Sequence, residues 1–311
     1  MKWKRTMRRA AALLAAGLCM LCSGCDRPQG YIDFEKSQNQ TAPVEDAAEK
    51  PLRIAFASVI SPKETRQAYQ VLVNYISQEQ QRPAVLLQRR TYAELNKLMA
   101  DGDADIAFFS TGAYAAYRGQ TPIELLAMVQ TNGSVFYQTY LITAADSDIT
   151  DFSQLQGRVF AFTDPLSYSG RQAVDFLLLD QGLTAETYFK RSFYTYNHDK
   201  SIWAVANHLA DGASIDSQIY DFVMQTNPQL CQKTRIFAVL PQAPTGPVVM
   251  RSDLPETEKA QLRHIFYTMD LHPSLHEALE KALINKFVEP QPELYAKLQQ
   301  TYNRRTHLTG E

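Results

Sequence analysis

Cysteine all but disappears from this chain after its first 25 residues: of the four present, Cys19, Cys22 and Cys25 crowd the N-terminus and Cys231 stands alone. A solitary thiol closes no disulfide framework, and four cysteines so placed make no metal site. Positive charge is not in excess either, with 31 Lys and Arg against 33 Asp and Glu. That balance removes the electrostatic footprint expected of a nucleic-acid binder. No apolar run is comfortably long enough for a transmembrane helix. Low-complexity segments and internal repeats are also missing beyond the first 50 residues, which excludes solenoid and array architectures.

What is present begins with "MKWKRTMRRAAALLAAGLCMLCSGC", five basic residues ahead of a short apolar stretch. This pattern reads as an export signal over 1–24. The small Ser23-Gly24 pair before Cys25 looks like a bacterial lipobox, with Cys22 where leucine is usual, and predicts lipidation of Cys25 and anchorage to a membrane. Simple secretion and an uncleaved anchor are the alternatives. Removal of 1–24 takes away five positive charges and no negative ones, carrying the formal charge from −2 to −7. An anionic ligand would then have to be held by local donors against the overall field. Residues 25–50 are polar and poor in large apolar side chains, and read as a disordered tether.

From Pro51 the pattern changes to alternating strands and helices. "LRIAFASV" reads as a strand, and Tyr69, Leu72, Val73 and Ile76 recur at helical spacing. "AVLLQRR" and "ADIAFFSTG" read as strands flanking the helix "TYAELNKLMADGD", and "ELLAMVQT" and "YQTYLITA" as two further strands. A second series opens at "VFAF" and runs through "TRIFAVLP" to "GPVVMR". The remainder is assigned to two amphipathic helices, 255–270 and 272–303. Alternation of this kind implies parallel sheet covered by helices. Extended segments near 138–146 and 247–251 suggest two α/β lobes whose chain crosses twice: lobe 1 from 51–143 plus 249–303, lobe 2 from 144–248. Ligands of open α/β sheets bind at the carboxyl ends of the strands, so a cleft between the lobes is the expected site.

The stretch "TDPLSYSGRQA" (163–173) joins a strand to a helical face of Ala173, Val174, Leu177 and Leu178. Pro165 blocks continuation of the strand, and the turn presents the hydroxyls of Ser167 and Ser169 with the free amides of a helix N-terminus. Such a turn is a ready cradle for an oxyanion. The same residues equally describe an ordinary serine cap. A nucleophilic serine is a third reading, although "LSYSG" lacks the first glycine of the G-x-S-x-G elbow.

The combination of "DPLSYSG" with "HDKSIWAVANHLADGASIDS", "APTGPVVMR" and "TYAELNKLMADGDADIAFFS" resembles the substrate-binding proteins of phosphate/phosphite/phosphonate-type ABC transporters, within the type II periplasmic-binding-protein fold. The resemblance covers about Leu52 to Pro290. It implies a two-lobed α/β protein, each lobe a mixed sheet covered by helices, that takes a small oxyanion and passes it to an ABC permease, with no cofactor, metal or catalysis. Carried over residue by residue, Ser167 and Ser169 match the hydroxyls that hold the anion, His198 the pocket histidine, and Tyr92 and Tyr137 two tyrosines. Tyr168 stands where the family has a small hydroxyl residue, and is expected to alter ligand choice. Gln218 and Gly246 stand where relatives that bind aminoalkylphosphonates carry acids.

Beside the resemblance, Ser110, Thr111 and Gly112 form a second strand-to-helix turn that supplies donors to the same anion. Asp216 and Ser217 either line the cleft or cap a helix. Arg171, one turn inside the helix, either reaches the ligand or faces solvent, the second being favoured, and Trp203, Val205 and Leu209 are assigned to the core. A ligand sensor that signals to a membrane partner and a serine hydrolase using Ser167 or Ser169 with His198 are the alternatives in other functional classes.

Overall fold

The computed structural model describes residues 50–57 and 62–309. The export signal, Cys25 and the tether up to residue 49 lie outside the described residues.

The first lobe is built on a six-stranded sheet. Strand β1 (Leu52–Ala57) leads into helix α1 (Pro62–Glu79), β2 (Ala84–Arg89), α2 (Tyr92–Ala100), β3 (Ile106–Phe108), α3 (Thr111–Ala116) and β4 (Ile123–Gln130). β1 pairs in parallel with β2 and β3 on its two sides. A strand flanked in this way is covered on both faces, which is why "LRIAFA" is apolar almost throughout. Helix α2 starts where the sequence signals it: Thr91 accepts from the Glu94 amide, and the Glu94 carboxylate accepts in return from the Thr91 amide.

The chain then enters the second lobe. Its five strands are β5 (Phe136–Ala144), β6 (Val159–Phe162), β7 (Arg191–Tyr194), β8 (Gly212–Asp216) and β9 (Thr234–Pro244), in the order β7-β6-β8-β5-β9. Between them run a π-helical turn over Tyr168–Gln172 that continues into α4 (Ala173–Leu179), then α5 (Ala185–Tyr188), α6 (His198–Ala206), α7 (Ser217–Thr226) and α8 (Pro228–Cys231). The return to the first lobe is made by β10 (Pro247–Arg251), which lies antiparallel between β3 and β4. Helix α9 (Glu256–Thr268), α10 (His276–Lys281), β11 (Lys286–Val288) and α11 (Pro292–Thr309) complete that lobe. The first sheet is therefore ordered β11-β4-β10-β3-β1-β2. Separate apolar clusters fill each lobe: Ile54, Leu72, Ile106 and Phe266 in the first, Ile142, Val205, Phe160 and Val174 in the second.

Three readings of the sequence change here. The stretch 272–303 is not one helix, because Leu283 turns the chain out of α10 at φ 58 and β11 pairs with β4 before α11 begins. The segments 138–146 and 247–251 are strands within the sheets. The crossings lie beside them, at residues 131–135 and 245–246. At the first, Asn132 and Gly133 make a tight turn with φ of 50 and 74, closed by reciprocal backbone bonds between Thr131 and Ser134. At the second, the Thr245 amide donates to Val135 O and the Thr245 hydroxyl to Val129 O. Finally, Trp203 and Leu209 are each 51% exposed while Val205 is buried. The buried stripe of α6 is His198, Ser201, Ile202 and Val205, at three- and four-residue spacing; Trp203 lies off that stripe, and Leu209 falls in the turn after the helix ends.

Candidate functional site

The carboxyl ends of β1, β3, β6 and β8 face one cavity of about 140 Å³ between the lobes. A single water needs roughly 10–15 Å³ of such space, so this volume suits a solute of a few heavy atoms. Of the residues predicted from the sequence, Tyr92, Ser110, Thr111, Tyr137, Ser167, Ser169 and His198 all line it. Tyr168 does not. Its ring packs edge-on against Tyr137, with centroids 6.3 Å apart, and beside Phe176, so its effect on the cavity passes through Tyr137. Ser167 is the extended cap that precedes the π-helical turn, and Tyr168 is the first residue inside it.

The serine turn caps its own helix, and both of its serines line the cavity. Ser167 Oγ accepts the Gly170 amide at 3.0 Å, and the Gln172 amide closes the π turn on Ser167 O at 3.0 Å. Accepting leaves the Ser167 hydroxyl hydrogen free to donate, and the amides of Tyr168 and Ser169 have no protein acceptor among the described residues. π turns of this kind are common at functional sites. The first-lobe turn is differently employed. Ser110 Oγ accepts the Ala113 amide and donates to Leu166 O across the cleft at 3.4 Å, and Thr111 Oγ1 donates to Pro244 O at 2.8 Å.

His198 heads α6 and is buried. Asp216 N–H donates to its Nδ1 at 3.2 Å, and the Thr163 hydroxyl lies at the same distance. An amide can only donate, so Nδ1 is the acceptor and the ring hydrogen sits on Nε2. Burial pushes the imidazole pKa down to about 3, and His198 is a neutral donor. Burial likewise holds the phenols of Tyr92 and Tyr137 protonated far above neutral pH. Asp216 is pushed up to about 7 by burial; it both lines the cavity and caps α7, so the two readings of this residue are both realised.

The lobes meet around the cavity. The Tyr92 amide donates to Asp164 Oδ2 at 3.2 Å, while Asp164 Oδ1 accepts from Leu166 within the turn. Gln172 Nε2 approaches Gly112 O at 3.4 Å. Gly112 permits this contact, since a Cβ there would lie 2.3 Å from Leu166 O. Gly246 is equally constrained: a Cβ would come within 2.1 Å of Phe109 O, so no acid fits that position in this backbone. Sequence reasoning missed Thr65, Tyr69, Thr245 and Lys281, which also line the cavity. Lys281 comes from the C-terminal segment misread as one long helix, and its Nζ pairs with Glu277 at 2.6 Å.

Arg171 is not at the surface. It is 5% exposed, bonded to Asp175 and Glu186, with its guanidinium 4.4 Å from the centre of the Phe162 ring. No group of metal-ligating side chains occurs among the described residues, and none of the helices described there is long and apolar enough to cross a membrane.

Two α/β lobes, a chain that crosses twice and a small cavity at the strand ends define a two-lobed solute-binding protein of the type II periplasmic class. The comparisons narrow this further. The chain belongs to the family of ABC transporter, phosphonate, periplasmic substrate-binding proteins, whose profile matches residues 54–295. It is 27% identical over 225 residues to the phosphate-import protein PhnD of Mycolicibacterium smegmatis, covering 67% of this chain and 65% of that one. Against the phosphonates-binding periplasmic protein of Escherichia coli it is 25% identical over 195 residues, covering 61% and 57%. The chain thus matches less than two thirds of the length of either relative. A binding-protein component of an ABC phosphonate transporter from Pseudomonas aeruginosa has the same fold, with a TM-score of 0.75 at 20% identity over 83% of this chain and 88% of that one. PhnD1 of Prochlorococcus marinus, solved with methylphosphonate, gives 0.73 at 17% identity over 82% and 98%.

Proposed function

We propose that this protein captures a small phosphorus oxyanion, a phosphonate, phosphite or phosphate, outside the cytoplasm and delivers it to an ABC permease, held at the membrane by lipid on Cys25. The observation that carries this reading is the donor set. The Ser167 and Ser169 hydroxyls, the Tyr92 phenol and the neutral His198 ring line a small cavity that has few charges of its own. Neutral donors suffice for an anion because each charge-assisted hydrogen bond contributes about 1.5–3 kcal/mol where water is excluded. The names of the relatives point to the same ligand class.

A hydrolase fits less well. His198 is oriented by a backbone amide, where a Ser–His–Asp relay uses a carboxylate, and a base held down to about 3 is a weak proton acceptor at neutral pH. The test is calorimetry with phosphate, phosphite, methylphosphonate, sulfate and 2-aminoethylphosphonate. Heat is expected from at least one phosphorus oxyanion, and Ser169→Ala is expected to weaken it at least tenfold. Silence across the panel overturns the reading.

A further inference from the structure

A second, basic pocket of about 340 Å³ flanks the oxyanion cavity, and both lobes contribute to it. Arg66 on α1 and Arg89 and Arg90 at the end of β2 come from the first lobe, Tyr196 after β7 and Lys200 on α6 from the second. Four of these side chains are cations, and no acid is among the lining residues. None of the four enters an ion pair among the described residues. By contrast Arg53, Arg82, Arg171 and Arg251 are each bonded to a carboxylate. Glu94 is close in the chain, but its carboxylate accepts the amides of Arg90 and Thr91 and does not line the pocket. Pocket and cavity share a wall. Ala57 lines the cavity and stands opposite Arg89 in the β1–β2 pair, one strand spacing of roughly 4.8 Å away. Thr65 and His198 line the cavity while their chain neighbours Arg66 and Asn197 line the pocket.

We propose that this basic pocket is an encounter site for the oxyanion: it draws the anion to the seam between the lobes, from which the donors of the cavity take it over. The inference rests on the oxyanion reading above. The chain as a whole carries a negative formal charge, so an anion approaching from afar is opposed by the overall field and attracted only where cations stand uncompensated. Arg66, Arg90 and Lys200 are exposed and act through solvent. Their pull reaches about 30 Å at 0.01 M salt and about 8 Å at 0.15 M. None of the four cations lines the cavity. They therefore govern how fast the anion arrives, while the hydroxyls and the neutral His198 govern how long it stays.

The test is stopped-flow mixing of the full chain with methylphosphonate, or with phosphate or phosphite where that binds tighter, read by the emission of the cavity tyrosines Tyr69, Tyr92 and Tyr137. Ionic strength is varied from about 0.01 to about 0.15 M. The wild-type association rate constant is expected to fall about tenfold over this range, with dissociation changing less than about twofold. Arg66→Gln combined with Arg90→Gln should slow low-salt association about fivefold, flatten its fall with salt and leave dissociation alone. Lys190→Gln combined with Lys233→Gln removes the same charge at the amino ends of β7 and β9, away from the cavity, and should alter association less than about twofold. A wild-type association rate that is flat or rises with salt overturns the inference while the oxyanion reading stands, and that result needs no variant. Equal slowing by the two pairs also overturns it, because net charge alone would then explain the effect. So does a loss of affinity in the first pair carried by faster dissociation, which would put Arg66 or Arg90 on the bound ligand. No binding of methylphosphonate, phosphate or phosphite by calorimetry overturns the oxyanion reading and this inference together.

Discussion

Replacing Gly112 by alanine tests whether the two lobes must touch for the site to work. The added methyl would lie 2.3 Å from Leu166 O, 2.7 Å from the Tyr168 nitrogen and 2.8 Å from Gln172 Oε1. The first two are backbone atoms of the serine turn and cannot swing aside. Restoring ordinary contact, about 3.5 Å, requires the lobes to part by about 1 Å at this point. The Tyr92–Asp164, Ser110–Leu166 and Gln172–Gly112 hydrogen bonds start at 3.2, 3.4 and 3.4 Å, and all would pass beyond bonding distance. Two of these are already long, so their combined loss is put at about 2 kcal/mol, or roughly a thirtyfold weaker affinity for methylphosphonate by calorimetry. Gly112 lies in α3, where alanine is favoured over glycine by about 1 kcal/mol. The net cost to the unliganded protein is then about 1 kcal/mol. Affinity within about threefold of wild type would refute the reasoning.

Other perturbations separate structure from binding. Arg171→Ala removes the guanidinium partner of the buried Asp175 and should destabilise the protein by about 3 kcal/mol or more in urea. Its ligand affinity should stay close to wild type, because Arg171 does not line the cavity. In the ligand-free protein His198 and Asp216 act in opposite senses with pH. His198, lowered to about 3, should make stability fall as pH drops below 6.5, by about 1.4 kcal/mol per unit, because only the unfolded chain takes the proton. Asp216, raised to about 7 from 3.8, contributes stability at low pH that is lost as pH rises through about 7. Between about pH 4 and 6.5 the two slopes cancel, so urea titrations should be nearly flat for wild type, fall with acid in Asp216→Asn and rise with acid in His198→Gln. Coincident profiles for all three would refute both assignments. Metabolic labelling with a fatty acid should tag wild type and not Cys25→Ser, and equal labelling would remove lipid from Cys25.

The sequence by itself determined the local pieces. Apolar runs of "LRIAFA" and "VFAF" mark buried strands, the Thr91 and Glu94 pair starts α2, and "DPLSYSG" between a strand and an apolar helical face marks a turn rich in donors. These signals lie within a few residues of one another, where propensity and capping act. Tertiary structure decided what depends on distant partners. The strand β11 exists because β4 offers an edge for Lys286–Val288 to pair with, which no helical periodicity of 272–303 reveals. Tyr168 stays out of the cavity lining because its ring packs on Tyr137 and Phe176, and Arg171 is buried because Asp175, Glu186 and Phe162 enclose it. Gly112 and Gly246 look like ordinary glycines until another segment's carbonyl lies where a side chain would be. Asp216 shows the division most clearly. Its cap on α7 is a local matter of two amides, whereas its raised pKa comes from burial that only the assembled fold supplies.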